Sequence, residues 1–192
     1  MATPTIRTRR WTRYEYERLA DLGVFGSDEP IELIGGELVV SELKGSPHET
    51  AVGLAEDALR AAFGSGWVVR VGSPIALNDQ SEPEPDVAVV PGQRRDYRQA
   101  HPARPVLVVE VAETSLALDR DHKASLYARA GVLDYWIVNL AGRVLEIHRQ
   151  PVPDPGPRFG WRYNSIGVLR AEGTVSPLAL PEACVAVADL LP

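Results

Sequence analysis

Two charged side chains in this chain stand where a charge is expensive. Glu110 lies inside PVLVVEV, a near-continuous apolar run of the kind that forms a strand covered on both faces. Desolvating a carboxylate costs several kcal/mol, so a glutamate there needs a metal ion, an arginine or lysine, or a retained proton. From Glu110 alone, a structural ion pair and a functional site are equally open. Asp86 opens a second apolar run, DVAVV, just after Pro85, which fixes the chain as it enters the strand. If these strands are antiparallel neighbours joined by residues 91–104, the start of one lies beside the end of the other. The two carboxylates then meet at one end of a sheet, where they repel unless a hard cation sits between them. Mg²⁺ suits such a pair, because it takes one or two carboxylates and keeps several waters. Glu82 and Glu84, just upstream, deepen the negative potential. For Asp86 taken singly, a turn residue after proline is the plain alternative.

The second position is Lys123. At helical periodicity it shares a face with Leu126, Tyr127 and Ala130, while Asp121, Ser125 and Ala128 point away. An inward lysine needs a carboxylate partner or loses its charge, unless it snorkels to solvent. Only two lysines, Lys44 and Lys123, accompany 18 arginines. A chain so biased keeps an ammonium at Lys123, where a compact and deprotonatable charge differs most from a guanidinium. The path from PVLVVEV through this helix to LDYWIVN has the length of a βαβ crossover. It carries the start of the helix past the end of the strand that holds Glu110. Asp119, one turn earlier, is read as a helix cap, with contact to the site as the alternative.

The elements that must position these residues are legible from punctuation and period. Thr12 to Leu22 reads as a helix with Thr12 and Glu15 as a capping box and Gly23 at its end. IELIGGELVVSEL reads as a hairpin about Gly35-Gly36. Ser46-Pro47-His48-Glu49 reads as a second capping box, opening a helix to Phe63. Strands are expected over 68–77, 84–90, 105–111, 133–139 and 143–149, with a helix over 120–130. PVPDPGPRFG reads as an exposed loop, followed by short strands and a small helix. The order predicts an α/β (α+β) fold, a mixed sheet flanked by helices. One domain is expected over 1–192, with its core at about 11–149 and a C-terminal extension over 150–192.

Composition bounds the possibilities. The chain has 192 residues, 45% hydrophobic and 24% charged, with 20 Lys+Arg against 26 Asp+Glu and a net charge of −6. Disordered, collagen-like and disulfide-stapled classes are excluded. The single cysteine, Cys184, excludes an internal disulfide and any zinc site needing two cysteines. No apolar run spans a bilayer, and the basic start carries no apolar signal core, so a cytoplasmic location is expected. The negative charge argues against nucleic acid. Two arginine clusters qualify that: Arg7, Arg9, Arg10 and Arg13, and Arg94, Arg95, Arg98 and Arg104. Each is either a solvated segment or a phosphate contact.

PDVAVV, PVLVVEVAETS, LDRDHKASLYARAGVLDYWIV, the upstream IELIGGEL and His48 occur in this order. Together they resemble the bacterial Uma-type restriction-endonuclease family, which is similar to the PD-(D/E)XK nucleases. The resemblance covers roughly Trp11 to Arg149 and implies a restriction-endonuclease-like fold. It implies that Asp86 and Glu110 hold Mg²⁺ or Mn²⁺, with the Val111 carbonyl as a third ligand. The superfamily lysine two residues after the glutamate is absent, since Ala112 stands there; the Uma-type pattern supplies Lys123 from the following helix. Glu32 and His48 match acidic and histidine positions of the family. From the residues alone, His48 shares a stripe with Val52, Ala55 and Leu59, which also suits a core histidine, and Glu32 suits a half-exposed strand. The implied activity is metal-dependent DNA hydrolysis, with a homodimer expected for cutting both strands. The rival readings are a non-catalytic nuclease-fold module that binds or oligomerises, and a metal hydrolase of another phosphoester.

Overall fold

The structure is a computed structural model, and it describes residues 8–26, 30–41 and 44–192. Arg7 and the last two residues of the expected hairpin segment, Glu42 and Leu43, lie outside the described residues. Helix α1 (Arg13–Asp21) starts as its sequence dictates: the Thr12 hydroxyl accepts from Glu15 N–H and the Glu15 carboxylate accepts from Thr12 N–H. Strands β1 (Ile31–Ile34) and β2 (Glu37–Val40) form a hairpin through Gly35 and Gly36, both at positive φ. Helix α2 (Ser46–Phe63) begins at the expected cap residue itself, and the cap moves one residue upstream. Gly45 occupies the N-cap with no side-chain hydrogen bond, and Ser46 is already helical. A Cβ at Gly45 would sit 2.8 Å from a Glu113 carboxylate oxygen, so the cap position favours a residue with no side chain.

Strands β3 (Trp67–Val71), β4 (Val87–Pro91), β5 (Leu107–Ala112), β6 (Asp134–Asn139), β7 (Val144–Pro153) and β8 (Trp161–Arg170) make one six-stranded sheet in that order. Only β5 and β6 are parallel; all other neighbours are antiparallel. The strand expected over 68–77 stops at Val71, because Gly72 turns at φ +47 and Pro74 follows. The β5–β6 crossover is helical over 116–129 in three pieces. These are α3 (Leu116–Leu118), a π-helical segment Asp119–Lys123 and α4 (Ala124–Arg129).

Two expectations fail beyond residue 149. The proline-rich segment is not all loop: β7 runs on to Pro153, past the point where β6 stops pairing with it. On that free side the missing proline N–H costs no ladder bond. The following strand is not short either, since β8 spans ten residues and pairs with β7 along its length. It also explains why α4 is buried nearly all round, Ser125 and Ala128 included, rather than on one face.

The sheet is covered on both faces. Ala51, Val52, Ala55 and Leu59 of α2 pack with Val87, Val89, Val109, Val111 and Trp136 on one side. Ala124, Tyr127 and Ala128 pack with Val108, Ala112, Tyr135 and Tyr163 on the other. Strands β9 (Thr174–Val175) and β10 (Val185–Ala186) form a small separate pair, and a 3₁₀ turn over Val187–Leu190 joins the first core. No helix among the described residues is long and apolar enough to cross a membrane.

Candidate active site

The antiparallel register between β4 and β5 sets Val87 against Val109, so the next positions outward are Asp86 and Glu110. Their groups interlock: Val111 N–H donates to Asp86 Oδ2 at 2.8 Å, and Asp86 N–H lies 3.4 Å from Glu110 Oε2. Both carboxylates are buried, at 5% and 2% exposure. Their meeting follows directly from strand pairing, as the sequence implied.

Lys123 reaches the same point. Its Nζ is 3.0 Å from Glu110 Oε1, and its side chain is 10% exposed, so it does not snorkel. The Tyr127 hydroxyl, one turn on, donates to the same Oε1 at 2.7 Å. Glu110 Oε2 has the longer contact, from Asp86 N–H at 3.4 Å. His48, on the first turn of α2, places Nε2 at 3.2 Å from Asp86 Oδ2, while its buried Nδ1 has no hydrogen-bond partner. His48 is therefore part of the site as well as part of the helix's inward stripe.

Glu32 is buried on β1, against the half-exposed reading. One oxygen accepts from Ser41 Oγ at 2.6 Å and the other from Glu84 N–H at 3.1 Å. Asp119 is not an N-cap. It sits within the π-helical segment at 1% exposure, accepts from Ser115 Oγ at 2.6 Å and lines the same cavity.

Lys44 is the residue the sequence reading missed. Its Nζ is 2.7 Å from Asp86 Oδ1, so each lysine holds one of the two carboxylates. The signal was present: the arginine bias that singled out Lys123 applies equally to the other lysine. It was obscured because Lys44 sits in a short segment between hairpin and helix, with no periodicity to say where it points.

The side chains line a cavity of about 370 Å³. Six carboxylates (Glu32, Glu84, Asp86, Glu110, Glu113 and Asp119) face it beside the two lysines. Val39, Val40, Ala117 and Leu118 add an apolar wall. The electrostatics show an excess of negative charge. Burial pushes the Glu110 carboxyl up to about 8, with Asp86 and Asp119 adding to the push against Lys123. Burial likewise raises Asp119 to about 6 and raises Glu84, the latter helped by Glu32. Asp86 goes the other way despite its burial, because the His48 hydrogen bond and the Lys44 charge hold it well below the carboxylate range. Burial disfavours the Lys123 ammonium, but Glu110, Glu32, Asp119 and Asp86 outweigh it and keep the group charged.

The donor set fits a hard divalent cation. Asp86 and Glu110 line the cavity with four further carboxylates and the His48 imidazole, a mostly oxygen donor set whose acids outnumber the two lysines beside them. No three His, Cys, Asp or Glu side chains among the described residues close into a preformed cage. Among the described residues, the arginines of the two clusters do not line the cavity. Arg94 and Arg95 begin a 3₁₀ turn beyond the far end of β4 from Asp86. Arg9 pairs with Glu15, Arg10 donates to Gly35 C=O, and Arg13 pairs with Glu17.

None of the curated proteins compared matches the chain. A solved structure titled a "putative nuclease belonging to DUF820" from Anabaena variabilis has a similar fold, with a TM-score of 0.63 at 14% sequence identity. The match covers 88% of this chain and 94% of that one. The family described as "Uma2: Putative restriction endonuclease" matches residues 13–188, which takes in β8 and the C-terminal pairs as well as the motif strands. This chain belongs to the Uma2 family.

Proposed function

We propose that the chain is a divalent-cation-dependent nuclease that hydrolyses DNA phosphodiester bonds at the Asp86–Glu110 end of the sheet. The observation that carries this reading is the convergence of two carboxylates from adjacent strands with two lysines in one acid-rich cavity. Asp86 and Glu110 would hold Mg²⁺ or Mn²⁺ through their cavity-facing oxygens, with the Val111 carbonyl as a further ligand. When bound, such an ion polarises the scissile phosphate and lowers the pKa of a coordinated water.

The chain's own residues divide the remaining work. Lys123, locked on Glu110, orients the attacking water and offsets the charge that grows on the phosphate. His48 and the Val111 N–H fix the rotamer of Asp86. Glu32 ties the hairpin to the Glu84 backbone and so closes one wall of the cavity. Cutting both strands of a duplex would take two copies of this site, hence a homodimer on DNA.

Incubating supercoiled plasmid with and without Mg²⁺ or Mn²⁺, at low salt, tests the reading. Cation-dependent nicking is expected, and Lys123→Ala should slow it by about 10²–10³-fold. No nicking with either ion would leave the non-catalytic module as the better account. Cleavage of a small phosphodiester but not of DNA would favour the other phosphoester hydrolase.

A further inference from the structure

We propose that Lys44 is the site's resident counter-ion, which holds Asp86 until a divalent cation enters and then turns to the substrate phosphate. The inference rests on the reading that Asp86 and Glu110 hold such a cation. Its ground is the distribution of partners around the two carboxylates. Asp86 Oδ2 is committed to Val111 N–H and His48, whereas Oδ1 contacts Lys44 at 2.7 Å. Glu110 Oε1 is committed to Tyr127 and Lys123. The oxygen of Asp86 that a cation would take is therefore the one that Lys44 holds. An ammonium and a divalent ion repel strongly at such range.

The two lysines are built for different tasks. Lys123 is clamped on a buried helix with its side chain 10% exposed. Lys44 is 40% exposed, lines the cavity and stands just before Gly45, the N-cap of α2. Its long stem can swing outward without disturbing a packed element. Outside the cavity it meets the direction from which a phosphodiester must approach. Lysine suits this exchange better than arginine, being a compact charge on a flexible stem with no fork to lock bidentately onto the carboxylate.

Calorimetric titration of MnCl₂ into the full chain, comparing wild type with Lys44→Met and Lys44→Arg, tests this directly. A second readout is binding of a short DNA duplex in Ca²⁺, followed by anisotropy across a salt series. Lys44→Met should bind Mn²⁺ about tenfold more tightly, since a competing charge is gone. The same variant should bind DNA more weakly, with a salt slope smaller by about 1. Lys44→Arg, which keeps the charge and adds a fork that grips the carboxylate, should bind Mn²⁺ more weakly than wild type. Opposite movements in the two affinities are not what a merely structural lysine produces. If Lys44→Met melts before it can be titrated, Lys44→Gln gives the same readouts. Unchanged Mn²⁺ affinity and salt slope in a folded variant overturn the role of Lys44 alone. A wild-type chain that takes up no Mn²⁺ removes the cation site and this inference together.

Discussion

The Tyr127 hydroxyl donates to Glu110 Oε1 at 2.7 Å and so decides which oxygen of that carboxylate is left for the cavity. Because Tyr127 is fully buried, removing its hydroxyl leaves Glu110 short of a donor with no water to replace it. Tyr127→Phe should lower unfolding stability by about 1–2 kcal/mol and weaken cation binding, measured by denaturant melts and calorimetry. At this scale the sequence showed a great deal. Glu110 and Asp86 stood out because a charge in an apolar run demands a partner, and Lys123 because a lysine on an inward face does. Asp119 and Lys44 were not legible in the same way. The π-helical segment changes which residues face inward, and an isolated loop residue has no period to read. Glu32 looked half-exposed because strand alternation cannot reveal that residues 81–84 cover its face.

The β1–β2 hairpin delivers Glu32, and its turn is a demanding one. Gly35 and Gly36 have φ of +58° and +82°, the two-residue turn that matches strand twist only with both residues left-handed. A Cβ on Gly36 would lie 2.7 Å from Arg10 Cβ and 3.2 Å from the Trp11 carbonyl. Gly36→Ala should therefore cost about 2 kcal/mol, read from denaturant midpoints. The hairpin docks on residues 78–84, where Glu82 N–H donates to the Leu33 carbonyl. The Glu82 side chain is 2% exposed, and one of its oxygens has no hydrogen-bond partner. Burial, with the Glu17 charge adding, pushes its carboxyl up to about 7 against Arg13. The folded state thus holds a proton that the unfolded state releases near 4.5. Stability from this group is present below that lower value and is lost as pH rises to about 7. Glu82→Gln should remove the loss: the gap between variant and wild type should open across that window and then level off. Equal pH profiles of unfolding would contradict it. Among the elements, β4, β5 and the crossover were readable because each is a bounded apolar run or period. The start of α2 was misread because Ser-Pro-His-Glu satisfies the capping pattern, while the helix takes in Ser46 and leaves Gly45 as a cap without a side-chain bond.

For the molecule as a whole, the net charge of −6 and an acid-rich cavity work against DNA unless a cation intervenes. Divalent ions ordinarily weaken protein–DNA complexes by competing for phosphates. Here the sign should invert at low concentrations: Ca²⁺ should raise affinity for a duplex, by fluorescence anisotropy, and then lower it once the site is filled. The sheet's order could not be read to its end. Prolines within PVPDPGP suggested a loop, yet β7 runs into it as far as Pro153, where only one side of β7 pairs, and β8 begins directly after it at Trp161. The motif strands fixed the βαβ core, whereas the edge that covers α4 depended on long-range pairing that no local signal marks. The central claim is that carboxylates from adjacent strands form one cation site, and calorimetric titration of Mn²⁺ into Glu110→Gln tests it most directly. Stoichiometric binding by the wild-type chain, abolished or weakened at least about a hundredfold in a variant that melts like wild type, is the predicted result. Equal binding by both proteins would contradict it.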